Sequence, residues 1–366
     1  MSEPLAADGA RSDQQPATGA ARPTRRPRTI ADGAGNGHDL EAPHRRQARG
    51  GRRRERLVVL AYRALAWLVA HVRPELAWRV GSGLAMVGYV LAGRQRRWAR
   101  ANFGHVLGVP PSDPAAGRLA RAAFRTYARY TVELLRLPSL SREEAADLVE
   151  LEGAEVVAEY LHGTPGGLIV VVAHLANNEA AAAGLALHGL PVSAVADDTA
   201  YGELFDLLRR QREGWGVRII PWRNLREVYG VLRRGEILGL LVDWGYRPDG
   251  IPVRLFGAWT ALPAGPAVLA ARNRSTILPV FVRRLPDGRF SVRPDLPITV
   301  ASTDPAELAR ATQSIADALE RAVAAAPEQW YIFKPIWPET ADEEARLERL
   351  AASHGHPAVS PQPSGG

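Results

Sequence analysis

The sequence predicts an α/β fold, with a central, mostly parallel sheet flanked by helices over residues 162–340 and a helical region over residues 51–161 before it. Two observations predict it. Short apolar runs recur from Gly167 onward, and amphipathic stretches of crossover length separate them, which is the rhythm of an open sheet. Upstream, charged and apolar residues recur at helical spacing, and no strand signal interrupts them.

In chain order, residues 1–50 are rich in Ala, Gly, Pro, Arg and Gln without apolar periodicity. Such a segment cannot bury enough surface to offset the entropy of ordering, and it is expected to be a disordered, Arg-rich tail. Leu57 to Leu161 reads as helix throughout, most plainly at Arg118–Leu135 and Arg142–Val149. Strands are expected at Leu168–Ala173, Val192–Ala196, Val217–Pro221 and Ile237–Val242, with helices at Asn178–His188, Gly202–Glu213, Leu225–Arg234 and Pro263–Asn273. Val253–Phe256, Ile277–Val282 and Phe290–Val292 add further strands, and Pro305–Ala325 a long closing helix. Residues 341–366 read as a C-terminal tail, and no internal repeat is present.

Composition narrows the function classes. With 366 residues and 46% hydrophobic content the chain can bury a substantial core. It has no cysteine, so disulfides, thiolate metal sites and cysteine nucleophiles are excluded. The net charge is +7, but residues 1–56 carry twelve Arg against seven acids, so most of the surplus lies in the first segment. That distribution argues against a nucleic-acid-binding face. Neither a phosphate-binding G-x4-GK[ST] loop nor G-x-G-x-x-G follows a strand, and no G-x-S-x-G nucleophile elbow occurs.

The segment that carries chemistry is Leu168-Ile-Val-Val-Val-Ala-His174-Leu-Ala-Asn177-Asn-Glu179, a buried strand, a turn and a helix start. His174 falls at the carboxyl end of its strand, the edge where ligands gather in open α/β sheets. An Asn at 177 or 178 can cap the helix, and Glu179 then lies in its first turn, where the helix dipole favours a carboxylate. A turn between them can fold the imidazole back toward Glu179 and give a base oriented by a carboxylate. A capped structural His would satisfy the same pattern. No second His or acid stands at a familiar metal-ligand spacing.

These residues resemble the HtrB-like branch of the lysophospholipid acyltransferase superfamily, which includes the lipid A secondary acyltransferases and the phosphatidylinositol mannoside acyltransferases. There a strand is followed by H-x4-E or H-x4-D, commonly His-x-Gly-Asn-Trp-Glu; here His174, Asn177 and Glu179 match, while Ala176 and Asn178 depart. Further blocks follow in family order: Arg212-Glu-Gly-Trp-Gly216, Leu240-Leu-Val-Asp243 with Gly250 to Gly257, Leu262 to Ala267, and Pro327-Glu-Gln-Trp330. The end of the last block, Tyr331 to Trp337, departs from the family's basic residues.

The resemblance implies an O-acyltransferase with His174 as base and Glu179 as its partner. It moves a fatty acyl chain from acyl-CoA or acyl carrier protein to a hydroxyl of a membrane glycolipid, lipid A-like or phosphatidylinositol mannoside-like, with no other cofactor and no metal. Arg212, Asn177 or backbone amides would hold the oxyanion or substrate, and Asp243 would place the acceptor or cap the following loop. A lipid esterase and a catalytically altered lipid-binding scaffold on the same fold are the alternatives. For attachment, Leu57–Val72 combines an apolar helix with Arg63, Tyr62 and Trp67, and the segment His44–Arg56 before it holds seven Arg. These features imply an anionic membrane surface as partner, no nucleic acid, and residence on the cytoplasmic face of the inner membrane. Packing of these helices on the sheet would account for the same pattern.

Overall fold

The computed structural model describes residues 49–197 and 202–353. Most of the tail expected over residues 1–50, and residues 354–366 of the C-terminal tail, lie outside them. Four helices come first: α1 (Arg49–His71), α2 (Pro74–Leu91), α3 (Gly93–Leu107) and α4 (Pro114–Arg136). Then come α5 (Arg142–Asp147), β1 (Val149–Leu151), α6 (Ala154–Gly163), β2 (Leu168–Val172) and α7 (Asn178–Leu187). The chain continues through β3 (Val192–Ala196), α8 (Gly202–Gly214), β4 (Arg218–Pro221), α9 (Leu225–Arg233) and β5 (Ile237–Leu241). It closes with β6 (Ile251–Leu255), β7 (Ala258–Leu262), α10 (Gly265–Asn273), β8 (Thr276–Arg284), β9 (Phe290–Pro294), α11 (Pro305–Ala325) and α12 (Ala341–Ser353).

Seven strands form the main sheet in the order β1-β9-β8-β2-β5-β3-β4. The run β8-β2-β5-β3-β4 is parallel, β9 joins β8 antiparallel, and β1 pairs parallel to β9. Successive residues of β2 point to opposite faces, as a pleated strand requires. Leu168 and Val170 enter the core beneath α6 and α7, whereas Ile169 and Val171 enter the core formed with α9, α10 and α11. Both faces are covered, which is why the strand reads as an unbroken apolar run.

Three expectations need correction. The region read as wholly helical contains β1, whose three residues are too few to register as a strand against the helices on either side. Residues 341–353, assigned to the tail, form α12, which buries Leu347 and Ala351 against Trp259 and Ala261. An unforeseen strand, β7, follows Val253–Phe256 through the two-residue turn Phe256-Gly257. Both turn residues have positive φ, +48° and +74°, as a type I′ hairpin needs, and Gly257 meets that demand without strain.

The helical layer closes over the carboxyl edge of the sheet. Phe103 of α3 and Phe124 of α4 share one cluster with Leu175, Leu255, Trp330 and Trp337, so the ends of β2 and β6 are roofed by α3 and α4. On the opposite side, Gly184 lets α7 approach β1: a Cβ built there would stand 2.7 Å from that of Val149. Gly184→Ala is therefore expected to cost about 1–3 kcal/mol of stability by overpacking, seen as a lower urea midpoint. An unchanged midpoint would show that this contact yields freely.

Candidate active site

β2 lies between β5 and β8; the chain leaves it for β3 and β4 on one side and comes back to β8 on the other, the arrangement that opens a crevice at the strand ends. The register aligns Val172 with Leu241. His174 and Asp243 each stand two residues beyond that pair, so adjacent parallel strands deliver them side by side. His174 Nδ1 lies 2.7 Å from Asp243 Oδ1, and the His174 backbone N–H donates to Oδ2 at 2.9 Å. Trp330 Nε1 donates to the same Oδ2 at 2.8 Å.

Asp243 is only 1% exposed. Burial alone would favour its neutral form, but the charge and hydrogen bonds of His174 and the indole N–H of Trp330 outweigh it and hold the carboxyl below its ordinary range. A carboxylate in that state only accepts, so Nδ1 donates and a neutral His174 ring keeps its lone pair on Nε2. Trp244 and Tyr331 flank the ring, with centroids 5.0 and 6.1 Å from it. Lys334, the one lysine of the sequence, places its ammonium 3.8 Å from the centre of the Trp244 ring.

The expected His174–Glu179 contact is not what forms. Asn177 caps α7, its Oδ1 accepting from Ala180 N–H at 3.0 Å, which puts Glu179 in the first turn. Glu179 is held there by Arg212 from the last turn of α8, with Nε and Nη2 donating to its two oxygens at 2.7 and 2.5 Å. Each charge sits at the helix end that favours it. Burial works to lower the Arg212 pKa, yet the carboxylate opposite raises it overall. The imidazole turns the other way because Asp243 is its neighbour across the sheet, whereas reaching Glu179 would require reversing the short turn that buries Leu175 and joins it to Trp330.

Two further assignments change. Asp243 is buried beneath the imidazole and lacks the access needed to hold an acceptor. Asn177 spends its amide inside the protein, donating Nδ2 to Glu133 at 3.3 Å as well as capping α7. Trp330, the end of the last family-like block, is both core and the third donor to Asp243. A buried indole N–H needs an acceptor, and that was the available signal. The two departures from the family pattern also have local explanations. Ala176 takes φ +49°, the left-handed region for which glycine is suited, and Asn178 Nδ2 donates to the Ala173 carbonyl at 2.5 Å, closing the turn.

With this geometry in place, comparison with known proteins decides the family. Residues 51–339 match the model of a family described as bacterial lipid A biosynthesis acyltransferase. The chain belongs to that family. It is similar to the phosphatidylinositol mannoside acyltransferase of Mycobacterium tuberculosis, 27% identical over 297 residues that span 78% of this chain and 90% of that protein. The protein of the same description from Mycolicibacterium smegmatis is 26% identical over 291 residues, 77% of this chain and 92% of its own length. This protein is accordingly an O-acyltransferase, a reaction that requires an acyl donor and a lipid acceptor.

Two outcomes follow for the acyltransferase. Ala176→Val forces a β-branched residue into the left-handed region inside the core and should cost more than about 2 kcal/mol, while Ala176→Gly should stay within about 1 kcal/mol of wild type. Equal midpoints for both in urea would refute the strain at this position. Because the Asp243 pKa is depressed on folding, its charged form stabilises the protein above the ordinary carboxyl value of 3.8, and that contribution is lost as pH falls through the depressed value. The stability difference between wild type and Asp243→Asn, measured by denaturant unfolding, should therefore shrink on acidification below 3.8; a difference that grows there would contradict the assignment.

Proposed function

We propose that this acyltransferase moves a fatty acyl chain from acyl-CoA or acyl carrier protein to a hydroxyl of a membrane glycolipid, with His174 as general base and Asp243 as the group that orients it. The observation that carries the reading is the buried carboxylate that fixes Nδ1–H of His174 and leaves Nε2 free. In this mechanism Nε2 takes the proton of the acceptor hydroxyl as its oxygen attacks the thioester carbonyl. The tetrahedral adduct then expels the thiol, which recovers the proton from the imidazolium, so one C–O bond forms as one C–S bond breaks.

Glu179 and Arg212 serve a different purpose. Paired bidentately they leave little net charge for an oxyanion, and we assign them to holding the start of α7 against the end of α8 beside the site. Next to that pair, Leu134, Leu137, Leu208 and Trp215 line an apolar recess of about 20 Å³, room for about one water molecule and too little for an acyl chain. The mycobacterial relatives favour a phosphatidylinositol mannoside-like acceptor over a lipid A-like one. A lipid-binding scaffold would find its support in the motif departures at Ala176 and Asn178, and the local roles of both weaken it.

We place the enzyme at the cytoplasmic face of the inner membrane, bound peripherally. No single helix among the described residues is long and apolar enough to cross a membrane, although α2 and α3 together, bent by 96°, have the length and composition. Large apolar side chains face outward along α1 and α2, including Leu57, Leu60, Trp67, Val80, Leu84 and Leu91. Beside them, residues 93–132 hold eight Arg and a single acid, Asp113. An apolar face rimmed by cations suits an anionic leaflet, where each basic group contributes on the order of 1 kcal/mol.

His174→Ala and Asp243→Asn are each expected to lower kcat by about 10²–10⁴-fold, while Glu179→Gln costs about tenfold and acts mainly through stability, measured as acylated glycolipid by mass spectrometry. Asp243→Asn within threefold of wild type would overturn the orienting role. For attachment, Leu84→Asp with Leu91→Asp should abolish flotation with vesicles containing anionic lipid yet retain transfer to a detergent-dispersed acceptor. Unchanged flotation would rule out this face.

A further inference from the structure

One largely buried ion pair beside the site, its carboxylate partly open to solvent, has no part in the chemistry above. Arg284 ends β8, and its side chain is only 7% exposed. Its Nη1 donates to Glu133 of α4, and the same carboxylate accepts from Arg129 Nε at 3.2 Å and from Asn177 Nδ2 at 3.3 Å. The Arg284 backbone is clamped as well: Gln329 Oε1 accepts from its N–H at 2.7 Å and Gln329 Nε2 donates to its carbonyl at 3.2 Å. The Gln329 carbonyl in turn accepts from the N–H of Ala176 at 3.1 Å. Two routes thus run from Arg284 to Ala176 and Asn177, the residues that turn the chain between His174 and α7.

The sheet explains why Arg284 reaches this spot. β8 is the parallel neighbour of β2, with Val171 aligned on Pro279. Five residues further along each strand stand Ala176 and Arg284, so the brace sits level with the turn it holds. As a fold-stabilising device it is a poor choice. The guanidinium lies over the Phe290 ring at 4.8 Å, and its Nη2 is buried with no hydrogen-bond partner among the described residues. Uncharged side chains of similar length at both Arg284 and Glu133 would leave no orphaned donor there, and replacing a buried pair in that way is often neutral or stabilising. Buried unsatisfied donors call for an explanation, and here the explanation is geometric.

We propose that Arg284, with Glu133 and Gln329, is a positioning residue that fixes the 174–177 turn and so sets where His174 stands relative to Asp243 and the acceptor hydroxyl. The inference rests on His174 being the base. Displacing a catalytic group by about 1 Å can cost on the order of 100-fold. Arg284→Met in the full-length enzyme is therefore expected to lower kcat by about 10- to 100-fold, with KM for donor and acceptor within about threefold, and to lower the thermal midpoint, because the Glu133 carboxylate loses one of its cations. Arg284→Lys, which returns a second cation to Glu133 beside Arg129, should recover most of the loss. Glu133→Gln combined with Arg284→Met leaves only the more exposed Arg129 without its carboxylate, and should lose no more kcat than Arg284→Met alone; it carries the test if the single variant does not fold. A kcat within twofold of wild type in Arg284→Met, or in the double variant where the single one does not fold, or a loss confined to KM, overturns the proposal. His174→Ala in the same assay keeps the two ideas apart: an active His174→Ala sinks the base, whereas an inactive one beside an unaffected Arg284→Met sinks only the brace.

Discussion

The buried carboxylate of Asp243 is the interaction on which the rest of the site depends. Without hydrogen bonds, a carboxylate that is 1% exposed would be neutral or ruinous to stability. Three donors from two parts of the chain prevent that: the backbone and ring of His174 and the indole of Trp330. Every neighbouring feature serves to bring those donors in. The parallel register of β2 and β5 supplies His174, and the segment after α11 supplies Trp330. That segment then continues to Tyr331, whose N–H donates to the His174 carbonyl at 3.1 Å. The cluster of Phe103, Leu175 and Trp337 around Trp330 excludes water from this carboxylate, so the charge that orients the imidazole is shielded from solvent competition.

The same constraint separates the two acids of the site. Glu179 follows His174 by five residues in sequence, whereas Asp243 meets its ring across the sheet. Glu179 belongs to a helix start and finds a guanidinium at a helix end, a pairing that secures two helices without touching the ring. The H-x4-E spacing is thus a signature of a shared turn, in which the His and the acid are held for different reasons. The brace through Glu133, Arg284 and Gln329 supports that turn from the β8 side, opposite the β5 side from which Asp243 acts.

Much of this was legible in the sequence. The continuous apolar runs of β2 and β5 announced strands covered on both faces, and Val192–Ala196 and Pro305–Ala325 coincide with β3 and α11 because their periodicity is unbroken. His174 at a strand end was visible for the same reason. The partner of His174 was not, since spacing reports on local neighbours, and Asp243 is 69 residues away in sequence. Only the register of two strands joins them, and register is set by tertiary packing. β1 and β7 escaped notice through brevity and a single hairpin turn, and α12 because its apolar face, Leu347 and Ala351, needs the β7 surface to give it meaning.

The central claim is that Asp243, and not Glu179, holds the imidazole. The most direct measurement is the proton spectrum of the enzyme labelled with ¹⁵N-histidine, in which an Nδ1–H held at 2.7 Å by a buried carboxylate should resonate far downfield and disappear in His174→Ala. The account predicts that Asp243→Asn abolishes or shifts this resonance while Glu179→Gln leaves it in place. Survival of the resonance in Asp243→Asn together with its loss in Glu179→Gln would contradict it.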